Sequence, residues 1–370
     1  MTSRSPDTIL TKSEIVLNFK GESFELSPFL VFPDSMSRLT DTIRSEFGKR
    51  KIVILGDIVA DQFLHGTISR VSREAPVFIL NHDTTDTRAG GAANAAVNIA
   101  SLGGRPTLVG FIGEDANGSL LKDRLAASNV DFGFAITDKT LQTTTKVRVL
   151  AGQEHAPRQQ VIRIDYANRE PIESALYDRL KDSLHRACEG ADAIIVSDYN
   201  YGAAEPEVAE IARARANELG IPLIVDSRFR LQDFPGATAA TPNQEEAEQI
   251  LGKDFTEDDC SALRSRLGYR ALLVTCGGKG MKLLAEGDVP RHLEAIGSKE
   301  PIDVTGAGDT VIGAFALGLA SGLSFFDSAS IANHAGGIVV MKRGTASLTA
   351  DELIASLDSQ PEDLTLATQH

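Results

Sequence analysis

Cysteine is scarce in this chain. The three present, Cys188, Cys260 and Cys276, are odd in number and have no CxxC spacing. A reducing compartment fits that usage, and a structural zinc site does not. The seven histidines form no HExxH pattern, the mark of a common class of zinc hydrolase. No apolar run reaches the ~18 residues of a membrane span. The polar start, Met1 to Lys12, has no signal-peptide core, so a cytoplasmic protein is expected. No internal repeat and no low-complexity linker interrupts the sequence.

Positive charge is also in short supply. Lys and Arg number 37 against 51 Asp and Glu, giving a net charge of −14. That balance argues against nucleic acid or an acidic membrane as a partner. A small anionic ligand is still admitted, because backbone N–H groups and a few arginines can bind one inside an acidic protein. With 370 residues, 42% of them hydrophobic, the chain can bury a large core. That length suits one large α/β domain with a small accessory piece, or two domains.

One stretch organises the rest: Asp303-Val304-Thr305-Gly306-Ala307-Gly308-Asp309-Thr310, followed by the apolar run Val311 to Leu319. It reads as a glycine turn opening a buried helix. A helix start leaves N–H groups unpaired and carries positive potential. Gly306 and Gly308 let a phosphate approach those groups. Asp309, in the first turn, is placed to take a proton from a hydroxyl that attacks phosphorus. The plain alternative is a turn with Asp309 as a cap.

Lys51 to Leu55 is a short apolar strand, and Gly56-Asp57-Ile58-Val59-Ala60-Asp61 follows it. Ligands of an open parallel sheet sit at the carboxyl ends of strands, which makes Asp57 and Asp61 candidates for binding substrate hydroxyls. Pro76 to Leu80 is β-like among polar residues, and Thr143 to Leu150 and Gln160 to Asp165 alternate polar and apolar residues, as antiparallel strands with one wet face do. They read as a small β lid, with Arg70, Arg73, Arg88, Lys146, Arg148 and Arg163 on or near it. Gly90-Gly91-Ala92-Ala93-Asn94 begins a helix of small residues. From Pro106 onward strands and helices alternate, the pattern of a parallel sheet covered on both faces. Asn243 and Glu246 share a helical face, as a water-mediated Mg²⁺ site or a helix cap. Thr275-Cys276-Gly277-Gly278-Lys279-Gly280 lies between two strands, a hairpin with or without a phosphate near it. Cys276 has no partner histidine and reads as a bystander. Phe326 to Met341, with Asn333 and His334, is a small-residue helix suited to a purine ring or to close packing.

Asp303 to Thr310 resembles the C-terminal signature of the ribokinase (PfkB-type) sugar kinase family. Gly90 to Asn94 resembles its N-terminal glycine signature, Asn243 to Glu246 its NxxE element, and Thr275 to Gly280 its TxGxxG nucleotide loop. The four stand in the right order across about residues 50 to 355. The resemblance implies an α/β fold, a ribokinase-like three-layer sandwich with a mainly parallel central sheet and a small β-strand lid. It implies transfer of the ATP γ-phosphoryl to a sugar hydroxyl, with Asp309 as base and Gly306, Ala307 and Gly308 as an anion hole. It places Asp57, Asp61, Gly90, Gly91 and Asn94 on the sugar, and Thr275, Gly277, Gly280 and Asn333 on the nucleotide. Asn243 and Glu246 would position Mg²⁺ through water, a monovalent cation being an optional second ion. A homodimer through the lid is expected.

Within the family the chain is most similar to the kinases of bacterial ADP-heptose synthesis, which act on D-glycero-β-D-manno-heptose 7-phosphate. The resembling runs include Thr67 to Pro76, Ala89 to Gly103, Thr145 to Val149, Gln159 to Asp165 and Ser197-Asp198-Tyr199. Arg70 and Arg148 are the expected contacts to the sugar phosphate. Two positions depart: Tyr201 replaces a usual lysine, and Asp226-Ser227-Arg228-Phe229 replaces a DPKG stretch. With no counterpart of the nucleotidyltransferase domain of those proteins before His370, the phosphorylation step alone is expected. The expected boundaries are an extension and helix over 1–48, the kinase domain over 49–357 with its lid at about 63–89 and 143–165, and a polar tail over 358–370. The alternatives are a relative with another acceptor sugar and a catalytically silent sugar- or nucleotide-binding protein.

Overall fold

The computed structural model describes residues 33–153, 158–298 and 300–359. The extension expected before residue 33 and nearly all of the expected tail lie outside them. Helix α1 (Pro33–Glu46) leads into β1 (Lys51–Gly56), β2 (Ile58–Val71), β3 (Phe78–Gly91) and α2 (Ala92–Ser101). Next come β4 (Arg105–Val109), β5 (Phe111–Gly113), α3 (Ala116–Ala127), β6 (Ile136–Asp138), β7 (Thr145–Gly152) and β8 (Gln159–Tyr166). The middle of the chain adds α4 (Ser174–Ala187), β9 (Ala193–Asp198), α5 (Pro206–Leu219), β10 (Leu223–Ser227), β11 (Ala239–Ala240), α6 (Gln244–Leu251) and α7 (Glu257–Arg266). It closes with β12 (Ala271–Thr275), β13 (Met281–Ala285), β14 (Arg291–Leu293), α8 (Ala307–Ala320), α9 (Phe325–Val339) and α10 (Ala350–Asp358).

An eight-stranded sheet runs β14-β13-β12-β11-β10-β9-β1-β4. From β4 to β12 the neighbours are parallel, and β13 and β14 add an antiparallel edge. The sheet is thus mainly parallel, as expected. Strand β1 shows why both faces must be covered. Ile52 and Ile54 point into one core with α2 and α8, while Val53 and Leu55 point into another with α4 and α5. Helix α8 is apolar all round, and every residue from Asp309 to Gly318 is buried. Only a helix enclosed by sheet and other helices tolerates that composition. Its close neighbour is α2, whose alanines let the two backbones approach.

The lid is a four-stranded sheet, β3-β2-β7-β8. The expected antiparallel pairing holds for β2 with β3 and for β7 with β8, but β2 and β7 are parallel. The reason is connectivity: β2 grows directly out of β1, and β7 returns only after α2 and α3, a crossover of the length that parallel pairing needs. The lid also begins earlier than expected, at Ile58. Asp61 therefore stands within a lid strand and not in a rim loop. Of the Pro76 to Leu80 segment, only Phe78 onward is strand. Among the described residues no helix is long and apolar enough to cross a membrane.

Candidate active site

Helix α8 opens with Gly306 as its N-cap. Among the described residues the N–H groups of Gly306, Gly308 and Asp309 have no partner, whereas Ala307 N–H donates to the Val304 carbonyl at 3.2 Å. The groups left for an anion are thus Gly306, Gly308 and Asp309, in place of the expected trio that included Ala307. Asp309 is only 3% exposed. Its Oδ2 accepts from Asn94 Nδ2 and its Oδ1 from the Tyr199 hydroxyl, both at 2.8 Å. Burial pushes the Asp309 carboxyl up to about 6, opposed by those two hydrogen bonds. A carboxyl that ionises just below neutral pH suits a general base. Asn94 is held in turn, since Asn98 Nδ2 donates to its Oδ1 at 3.2 Å.

The two carboxylates expected on the sugar part company. Asp57 bridges β1 and β2 and is 2% exposed. It accepts the backbone N–H groups of Tyr199 at 2.7 Å, Tyr201 at 3.0 Å and Ala203 at 3.0 Å. Its carboxylate therefore holds the turn after β9 and does not face a ligand, a correction to the sequence reading. Asp61, on lid strand β2, is bound by side chains instead. Its Oδ1 accepts from Arg148 Nη1 at 2.6 Å, and its Oδ2 from Thr345 Oγ1 at 3.3 Å. Gly90 lies against that carboxylate and Gly91 against the Tyr199 ring. Arg70 is not brought in. It is exposed near the far end of β2, opposite Ile79, roughly 30 Å from Asp61 at about 3.3 Å per strand residue.

Thr275, Gly277, Gly280 and Asn333 line one cavity of 170 Å³ together with Ala307 and Gly308. The glycine loop is the expected hairpin, β12 pairing antiparallel with β13. Gly336 and Gly337 give the cavity a flat wall. Gly308 lacks the side chain that would narrow it: a Cβ there meets nothing within 4 Å. His334 is turned away, its Nδ1 2.8 Å from Ser356 Oγ.

Asn243 and Glu246 cap each other. Asn243 Oδ1 accepts the Glu246 N–H and Glu246 Oε2 accepts the Asn243 N–H, both at 2.9 Å. Burial pushes the Glu246 carboxyl up, and Asp226 at the end of β10 is pushed well up by burial and by neighbouring Glu246. No cluster of three or more His, Cys, Asp or Glu able to hold a metal occurs among the described residues. Mg²⁺ held chiefly by phosphates and waters fits such a pair of carboxyls, and a metal caged by protein does not.

From the sequence, Lys146 is only one of the lid's charges, and a second cavity is not foreseen. Lys146 is buried on β7 with its ammonium 5.1 Å from the Tyr199 ring and 5.2 Å from the Tyr201 ring. Burial lowers its pKa. Beside it, between lid and core, is a cavity of 690 Å³ with Arg88, Arg148, Arg158 and Arg343 in its wall. Arg88 and Arg148 both stack on Phe63, at 5.3 and 5.4 Å. The arginines were visible in sequence, but their convergence depends on the parallel β2–β7 pairing.

A model of pfkB family carbohydrate kinases matches residues 49–352. The chain is 38% identical over 323 residues to a bifunctional protein HldE of Aeromonas salmonicida, covering 86% of this chain and 66% of that one. A bifunctional protein HldE of Alcanivorax borkumensis is 40% identical over 312 residues, covering 83% and 63%. The chain thus spans slightly less than two thirds of these relatives. Among solved structures, Arabidopsis thaliana ribokinase complexed with ribose and ATP has a TM-score of 0.65 at 20% identity, covering 84% of this chain and 99% of that one. Escherichia coli phosphofructokinase-2 in complex with substrates and products has a TM-score of 0.67 at 19% identity, covering 85% and 99%. The fold is ribokinase-like.

Proposed function

We propose that the chain, which belongs to the pfkB family of carbohydrate kinases, transfers the γ-phosphoryl group of ATP to a hydroxyl of D-glycero-β-D-manno-heptose 7-phosphate. The observation that carries the choice of a phosphorylated acceptor is the arginine-walled cavity. Arg148 lines it and also pairs with Asp61, so one side chain spans the places for a sugar hydroxyl and for an anion. Arginine's fork of donors suits a phosphate. The HldE relatives and the runs shared with heptose kinases support the heptose in particular.

Asp61, Gly90, Gly91 and Asn94 would orient the sugar. Asp309 would take the proton of the attacking hydroxyl as its oxygen bonds to the γ-phosphorus and the bond to the bridging oxygen of ADP breaks. The free N–H groups at the start of α8 would stabilise charge on the transferring group. Thr275, Gly277, Gly280 and Asn333 would hold the nucleotide. Mg²⁺ bound with ATP would neutralise phosphate charge, with Asn243 and Glu246 reaching it through water. Three unpaired cysteines fit a reducing cytoplasm. Exposed Ile162, Ile164 and Tyr166 on β8 support a homodimer through the lid.

A second reading, another acceptor of the same family, is favoured by Tyr201 and by the exposed Phe229. The deciding experiment is ADP release from Mg-ATP against heptose 7-phosphate, fructose 6-phosphate, ribose, fructose and adenosine. Turnover with the heptose phosphate above the others supports the first reading, and turnover preferring a free sugar overturns it.

A further inference from the structure

Tyr199 touches Asp309 yet is neither nucleophile nor base. It leaves the end of β9 and points its phenol at Asp309 Oδ1, 2.8 Å away. The turn that carries it is tied at several points. Asp57 holds the N–H groups of residues 199, 201 and 203. Asp198, one residue earlier, accepts from Ser227 Oγ and from Arg230 Nη2, each at 2.7 Å. Asn200 takes a left-handed φ of 63° and donates its N–H to Asp198 Oδ1 at 3.0 Å. The backbone that carries the phenol is thereby fixed, and the phenol's own hydrogen bond is to Asp309.

Charged or titratable groups face Asp309 from several elements: Tyr199 after β9, Asp61 on β2, Lys146 on β7 and Asp226 on β10. Of all side chains described, Tyr199 and Asn94 alone reach its oxygens by hydrogen bond. Each carboxylate oxygen accepts one such bond and keeps another lone pair. The acceptor hydroxyl therefore still has a site on Asp309, in a plane that the two donors fix. Donors to a carboxylate also favour its charged form.

We propose that Tyr199 is a positioning residue for the base, its O–H holding the Asp309 carboxylate ionised and turned to the acceptor hydroxyl. Burial and the neighbouring Asp309 push the Tyr199 phenol well up, so it stays protonated and only donates. The catalytic consequence rests on the kinase reading above, but the effect on Asp309 ionisation does not.

The test is ¹³C NMR of chains labelled at aspartate Cγ, the Asp309 resonance being assigned by its loss in Asp309→Asn. Tyr199→Phe keeps the ring and removes the donor. The expected result is an Asp309 midpoint raised by at least about half a pH unit, and an acid limb of kcat/KM displaced by the same amount. The rate lost at pH 6 then exceeds that lost at pH 8.5, with KM for ATP unchanged. Should Tyr199→Phe fail to fold, 3-fluorotyrosine at 199 keeps the shape and strengthens the donor, and the midpoint is expected to fall. A midpoint unmoved by either change overturns the proposal, as does a uniform loss of rate with the limb in place. If no acceptor on the panel turns over, the substrate reading fails while the titration still decides the role of Tyr199.

Discussion

Asn94 and Asp309 stand 215 residues apart in the chain and their side chains are 2.8 Å apart. One belongs to α2, the other to the first turn of α8, and Asn94 Nδ2 also reaches the Gly306 carbonyl at 3.3 Å. The two glycine-rich stretches are thereby joined at the Asp309 carboxylate.

Replacing Asp309 by Asn keeps the shape and removes the base. Turnover is expected to fall by roughly 10²- to 10⁴-fold, with ATP affinity nearly intact. Single-turnover ADP formation beside equilibrium ATP binding measures both. A rate close to that of the unmodified chain would remove Asp309 from the base role.

The same substitution has a stability consequence of definite sign. The folded carboxyl ionises near 6 because it is buried, against about 3.9 in an unfolded chain. A raised carboxyl favours the fold below the lower value and loses that contribution as pH rises through the upper one. Two pH units correspond to about 3 kcal/mol. Asp309→Asn is therefore expected to gain thermal stability over the parent at pH 8 relative to pH 4. Melting curves at the two pH values check it, and an equal difference at both contradicts it.

Arg148→Ala removes the ion pair between lid strands β7 and β2. Asp61, 5% exposed, is left without its partner at 2.6 Å. The KM for a phosphorylated acceptor is expected to rise about 10- to 100-fold, and that for ATP to change little. Equal rises in both would point to general loosening of the cleft.

Gly280 and Gly308 border one cavity and answer oppositely to alanine. At Gly280 the φ is +85° and a Cβ would stand 1.9 Å from the Leu293 carbonyl. Gly280→Ala is expected to cost about 2 kcal/mol or more. At Gly308 the new Cβ meets no protein atom within 4 Å, and the helix gains roughly 0.5–1 kcal/mol. The methyl faces the nucleotide cavity, so KM for ATP is expected to rise while the melting temperature holds or increases. Denaturation curves and ATP kinetics on the two variants separate these effects.

Much of the fold was legible because the signals are local. Apolar runs such as Lys51 to Leu55 cannot be half exposed, and the glycine turns stand where strands and helices meet. The grouping of Thr275, Gly277 and Gly280 around one cavity followed for the same reason, since they lie in one loop. Asp57 and Asp61 look alike in sequence, four residues apart after a strand. What separates them is the backbone of residues 199 to 203, which takes both oxygens of Asp57, and no nearby residue announces that contact. The surroundings of Lys146 and the arginine-walled cavity were hidden likewise, because their neighbours are set by strand pairing across the lid. Asn243 and Glu246 display in the structure the reciprocal cap that their spacing allowed.

The parallel pairing of β2 with β7 bears on how the chain reaches its native state. Asp61 and Arg148, 87 residues apart in sequence, meet across strands separated by α2, β4 and α3. Closing so long a loop is entropically slow before its contacts reward it. The central layer, whose β1–β4 and β1–β9 pairs bury continuous apolar strands, gives the returning β7 a surface on which to arrive. The lid is accordingly expected to assemble last, and the cleft to become competent only after the rest of the sandwich has set.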